Sequence, residues 1–267
     1  MGNFQEATAL TRGPGADVFT VDLDPQWTVG GRMHGGYLLA AMARAATEVG
    51  PHAHPHAVSA SFAVPPQAGP AQVSVEVLRA GNGLTQSRVR LDQDGTPCAE
   101  ALLTLGPLAD DEPYWSGVTP ADLPPEHECV RVPAEAPGAG FRVDLMDVVE
   151  QRLDPRPLGF LGGTPSRRGE ISGWQRLADG SDWDPLSLLV ALDPVPPVSY
   201  DLGIPGWAPT LQFSAYLRRP PAPGPVRVRM RAGVVAGDRM DEVAEAWDSK
   251  DRLVAQATQL AGVRLPA

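Results

Sequence analysis

Pro65-Pro66-Gln67-Ala68-Gly69-Pro70 returns later in the chain as Pro220-Pro221-Ala222-Pro223-Gly224-Pro225, 155 residues on. An alternating apolar segment precedes each copy, Val58 to Val64 in the first and Phe213 to Leu217 in the second. An alternating strand follows each, carried by Val73, Val75 and Val77 and by Val226, Val228 and Met230. With one residue inserted, Cys98-Ala99-Glu100-Ala101 falls on Val254-Ala255-Gln256-Ala257. A composition rich in Pro, Ala and Gly can repeat a turn by chance, but it does not explain strand parity that agrees on both sides. A fixed offset marks one supersecondary unit used twice. With two copies and so long a period, the unit is a small domain and not a solenoid repeat.

The 267 residues suffice for two such domains, and a 43% hydrophobic fraction is ample for their cores. Twenty-two basic against 32 acidic residues give a formal charge of −10, a field that repels a phosphate backbone and argues against nucleic acid as partner. Lys250 is the only lysine. Cys98 and Cys129 are too few for a disulfide framework in a chain this long, and their spacing fits no metal motif, so a reduced compartment is expected. The start of the chain has no basic-then-apolar leader, and no apolar run reaches the roughly eighteen residues of a membrane span. The expectation is a cytoplasmic protein with no membrane span.

The first copy reads as a strand at 17–23, a helix at 35–49 and strands at 56–64, 71–78, 84–92 and 98–105. Tyr37, Leu38, Ala41, Met42 and Ala45 carry the helical period. Gly81-Asn82-Gly83 and Asp94-Gly95 mark hairpin turns. The stretch 106–140, rich in Pro, Asp and Glu, reads as a crossing linker. The second copy reads as strands at 145–153 and 169–177, a helix at 185–192 opened by Asp184 and Pro185, and strands at 210–217, 226–232, 239–247 and 252–261. The fold class is α+β, an antiparallel sheet wrapped around a central helix in each half. The expected units are 1–107 and 141–267, joined by 108–140.

Arg32-Met33-His34-Gly35-Gly36-Tyr37-Leu38-Leu39-Ala40 resembles the His-Gly-Gly start of the central helix in hotdog-fold thioesterases. Pro209-Thr210-Leu211-Gln212-Phe213 through Arg218-Arg219-Pro220, with Leu253-Val254-Ala255 through Thr258-Gln259, resembles the C-terminal half of the acyl-CoA thioesterase II family. The resemblance runs from Trp27 to Val263, the linker excepted. Members of that family are double hotdogs, in agreement with the internal repeat. The resemblance implies hydrolysis of acyl-CoA or a related acyl thioester by direct attack of water. It implies no cofactor or metal, and self-association into a homo-oligomer through the hotdog sheets.

The glycine pair has a physical reading of its own. The first turn of a helix carries unpaired N–H groups and a partial positive charge. Glycine there lets a thioester carbonyl approach those donors, which would stabilise the developing oxyanion. The alternative is that Gly35 and Gly36 serve close packing, and His34 is either a site residue or a cap. Comparing the copies adds two polar residues. Gln212 stands where the first half has Ala57, and Gln259 where it has Leu103. Gln259 shares the parity of Ala255, Ala257 and Ala261, a buried-looking face. A composite site follows, with helix donors from the first half and polar strand residues from the second.

The chain also departs from the family pattern. The position of the family's water-orienting aspartate is Gln212, that of its hydroxyl residue is Gly233, and only Gln259 matches. A carboxamide holds water but does not take its proton near neutral pH. Hydrolysis is therefore expected to be weak, with Asp193 as the nearest carboxylate for a base, or else a helix-exit residue before Pro194. The rival expectation is a non-hydrolytic acyl-thioester-binding hotdog protein. The other hotdog thioesterase type keeps its carboxylate on the helix where Ala43 stands here. His52, His54 and His56 alternate as metal ligands would, but Pro55 argues for a loop. Trp174, Trp183, Trp207 and Trp247 are core or acyl-tunnel candidates, and Arg218 and Arg219 candidates for a CoA phosphate.

Overall fold

The computed structural model describes residues 3–135 and 140–265. The first half contains α1 (Phe4–Ala7), β1 (Leu10–Arg12), β2 (Val18–Leu23), a ribbon of β3 (Thr28–Val29) and β4 (Arg32–Met33), and α2 (Gly35–Val49). Then come β5 (His54–Phe62), β6 (Gly69–Ala80), β7 (Thr85–Gln93) and β8 (Thr96–Gly106). After the crossing stretch follow β9 (Val130–Arg131), β10 (Val149–Leu153), β11 (Glu170–Leu177) and α3 (Leu188–Ala191). The chain closes with β12 (Thr210–Leu217), β13 (Val226–Ala236), β14 (Arg239–Trp247) and β15 (Leu253–Gly262).

Thirteen strands form one antiparallel sheet in the order β1-β2-β6-β7-β8-β5-β12-β15-β14-β13-β11-β10-β9. β5 and β12 meet in the middle, and outward from them each half repeats the same sequence of neighbours. The registers repeat as well. Val58 opposes Leu103 in β5–β8, and Phe213 opposes Gln259 in β12–β15. Val73 opposes Leu91, and Val228 opposes Ala246. The inserted residue falls between β14 and β15, where a five-residue turn organised by Asp248 replaces the tight Asp94-Gly95 hairpin.

Nearly all of α2 is buried, and it packs against β5, β6, β7 and β8. Strong helix formers and an apolar surface on almost every side fit it for that interior position. A single large hydrophobic cluster unites α2 with residues of both halves, including Leu189, Phe213 and Ala257. A smaller one around Leu153, Ile171, Met230 and Met240 fills the far end of the second half. Among the described residues no helix is long and apolar enough to cross a membrane.

Three expectations need correction. The second helix is one turn, Leu188–Ala191, where 185–192 was expected. Asp184 and Ser187 exchange side-chain and backbone hydrogen bonds that hold a preceding turn, and Pro194, Pro196 and Pro197 prevent continuation. Pro55 lies inside β5 and not in a loop; a register shift beside it absorbs its missing N–H. The expected linker is not wholly irregular, because β9 pairs with β10 at the edge of the sheet.

Candidate active site

The start of α2 is where the two halves touch most closely. Gly36 makes this possible: a Cβ on it would lie 2.3 Å from the Leu189 carbonyl oxygen and 2.8 Å from the Val190 Cα. No side chain fits there, so α3 crosses α2 directly over this residue. The crossing delivers Asp193, just beyond α3, to the helix start. Its Oδ2 accepts from the Gly36 N–H at 3.1 Å, as expected for a carboxylate at a helix N-terminus. A Cβ on Gly35 would sit 2.9 Å from that same oxygen.

His34 is the N-cap of α2. Its Nδ1 accepts from the Tyr37 N–H at 3.3 Å, which assigns the ring proton to Nε2. Nε2 then donates to the Asp193 carbonyl oxygen at 2.6 Å and lies 3.3 Å from the carboxylate Oδ2. His34 thus ties the first half to the second.

A cavity of about 180 Å³ opens beside this junction, lined by His34, Gly35, Asp193, Thr210, Glu242 and Gln259 among largely apolar walls. Glu242 and Gln259 oppose each other directly in β14 and β15. The Gln259 amide donates through Nε2 to Glu242 Oε2 and accepts from the Thr210 hydroxyl at 3.1 Å. Glu242 is only 2% exposed, and its Oε1 has no hydrogen-bond partner among the described residues. Burial pushes its carboxyl up to about 7, the Asp193 carboxylate adds to the rise, and the Gln259 and Val198 amides oppose it. A second cavity of about 210 Å³, walled almost wholly by apolar side chains such as Val29, Phe141, Leu158 and Phe160, shares Val195, Pro197 and Trp207 with the first.

The residues expected from the sequence divide. His34, Gly35, Asp193 and Gln259 line one cavity, and Gly36 reaches it through its N–H bond to Asp193. Gln212 does not belong with them. It is exposed, on the opposite face of the sheet from the buried Gln259, and does not share a site with it. Phe213, Ala215 and Leu217 take the inward parity of β12 and leave Gln212 outward. Gly233 is also remote from the cavity, with its Cβ position filled by the Asp241 carboxylate. Of the four tryptophans only Trp207 lines a cavity wall here; Trp183 and Trp247 are core, and Trp174 donates to the Pro124 carbonyl. Arg218 and Arg219 lie just past the other end of β12. His52 bonds Thr85, and His56 bonds the Pro107 carbonyl.

Glu242 was not anticipated. The signal for it lay in its parity, since it alternates with Met240, Ala244 and Ala246 on the inward side of β14.

The family model for the N-terminal domain of acyl-CoA thioesterases matches residues 23–106, and that for the C-terminal domain matches residues 120–263. The chain belongs to the acyl-CoA thioesterase family. An uncharacterized protein of Mycobacterium tuberculosis is 32% identical over 271 residues, spanning 94% of this chain and 92% of the relative. The crystal structure of a putative thioesterase II from Thermobifida fusca is similar at 32% identity and a TM-score of 0.89, covering 99% of this chain and 98% of that one. A hot dog fold protein of unknown function from Alicyclobacillus acidocaldarius shares the fold at 23% identity and a TM-score of 0.85, with the same coverage of 99% and 98%. The large antiparallel sheet with few helices is thus a hotdog arrangement.

Proposed function

We propose that this protein is a double hotdog, with units 1–107 and 141–267 joined by 108–140, that hydrolyses acyl-CoA or a related acyl thioester by direct attack of water. Family membership supports the reaction class. The observation that carries the reading is the single cavity in which the start of α2 meets three inward polar side chains, Asp193, Glu242 and Gln259. Apolar walls exclude bulk water and strengthen each electrostatic contact inside. The thioester carbonyl comes to lie beside Gly35, where no Cβ blocks its approach to the helix dipole, while Asp193 already holds the Gly36 N–H. Water sits between the carbonyl carbon and the Glu242–Gln259 pair. The neighbouring apolar cavity takes the acyl chain past Trp207.

Release of free thiol from a panel of straight-chain acyl-CoA substrates tests this. The expected result is hydrolysis whose kcat/KM rises with chain length until the apolar cavity is filled. Trp207→Ala, which removes the wall common to both cavities, should move the preference toward longer chains. If acyl-CoA binds but no chain length yields thiol, the protein is an acyl-thioester binder and not a hydrolase.

A further inference from the structure

We propose that Glu242 is the general base of this reaction, receiving the proton of the attacking water on Oε1 while Gln259 fixes its other oxygen. The inference rests on the thioesterase reading above. It follows from taking each ionisable or nucleophilic group that lines the cavity in turn.

His34 has no lone pair to offer. Nδ1 is occupied by the Tyr37 N–H, and Nε2 carries the proton it gives to Asp193. Cys98 lines the same wall, but its thiol donates to the Thr96 carbonyl, and burial pushes its ionisation up, away from thiolate. Arg32 is a cation. Asp193 is a carboxylate made comfortable as an anion: the Gly36 N–H, the positive end of α2 and the His34 Nε2–H all converge on Oδ2. Such a group orients its neighbours well and accepts a proton poorly.

Glu242 is in the opposite condition. Gln259 holds Oε2, and Thr210 fixes the orientation of that amide, so its NH₂ faces the carboxylate. Oε1 is buried in the cavity wall with nothing to accept from. A buried carboxylate oxygen without a donor is costly to stability, and a site for a water molecule is what it lacks. Burial also makes this carboxyl basic near neutral pH, the condition in which a general base is most effective. Two carboxylates in one cavity, pushed apart by their surroundings, thereby acquire different tasks.

The step balances without a further reactant. One O–H bond of water breaks and its proton passes to Oε1, while the oxygen forms a bond to the thioester carbonyl carbon. The C–S bond then breaks, the carboxylic acid product forms, and the thiolate leaves and recovers the proton from Glu242.

Glu242→Gln and Asp193→Asn, assayed by thiol release from pH 5.5 to 9, test the assignment. The Gln variant keeps shape and burial, so it should stay folded and still bind a non-hydrolysable thioether analogue of acyl-CoA. Its kcat should fall by about 10²–10⁴-fold. In wild type, kcat/KM should rise with pH through about 7. The groups that face Glu242 are Asp193 from beyond α3, Asp241 on its own strand and Gln259 on β15. Asp193→Asn removes a like charge but keeps an acceptor for Gly36, so the rise should move to lower pH with far less loss of rate. A Glu242→Gln variant within threefold of wild type, or a hundredfold loss carried by Asp193→Asn instead, would overturn the assignment. If wild type itself releases thiol from no acyl-CoA, the thioesterase reading fails, and the base assignment with it.

Discussion

Ser59 and Ser214 face each other across β5 and β12, the Ser214 hydroxyl donating to Ser59 at 3.4 Å. The internal repeat carries Ser59 onto Ser214, and the sheet pairs the same two residues. Offset and register therefore agree at this one pair, and the pseudo-twofold axis relating the halves passes between them. A chance match of proline turns has no reason to produce that coincidence.

Glu242 makes stability depend on pH in a definite direction. Its carboxyl ordinarily titrates near 4.5 and is raised to about 7 in the fold. Below 4.5 both folded and unfolded chains hold the proton. Above it the unfolded chain ionises first, so the fold loses stability as pH rises to about 7, and beyond that the loss is complete. The total is about 3 kcal/mol. Glu242→Gln should therefore melt at a higher temperature than wild type at pH 8, with the difference closing by pH 4.5. Thermal unfolding followed by circular dichroism at both pH values checks it.

Gln259→Leu copies the first-half residue and leaves Glu242 Oε2 without its donor. The amide normally lowers the Glu242 titration, so its loss should push the rise of kcat/KM to higher pH. Stability should fall by about 1–3 kcal/mol for the unsatisfied partner. A pH–rate profile alongside a urea titration separates the two effects.

Gly36→Ala forces a methyl group into the Leu189 backbone, which has no side-chain freedom with which to yield. A loss of about 1–3 kcal/mol or more is expected. Gly83→Ala, at a position with nothing within 4 Å, is the control and should leave the urea midpoint close to wild type.

Gln212→Asp restores the residue type that the family pattern has at this position, yet the side chain faces away from the cavity. Turnover should stay within about twofold and stability within about 0.5 kcal/mol of wild type. A marked gain in kcat would show that β12 presents this position to the substrate after all.

Much of this was legible in the sequence because alternation and turn chemistry are local. Val73, Val75 and Val77 set an inward face without help from the rest of the chain. Gln259 was legible too, since a carboxamide replacing Leu103 on an alanine-rich face is conspicuous. Gln212 was misplaced because a motif correspondence was given more weight than the parity of Phe213, Ala215 and Leu217. Glu242 escaped because its counterpart, Ser87, is also polar, so the contrast between copies is muted. The contact of His34 with Asp193 joins residues 159 positions apart and depends on the close helix crossing at Gly36, for which no local pattern exists.

The cross-strand pair Glu242–Gln259 has a counterpart in the first half, and that counterpart is Ser87–Leu103. A hydroxyl and an isobutyl group can neither share a proton nor anchor a water between them. An ancestral pair of identical chains would have carried two equivalent reaction centres; fusing the halves released one copy from that duty. Ligand stoichiometry should record this history as one acyl thioester bound per chain, although the architecture is built in duplicate.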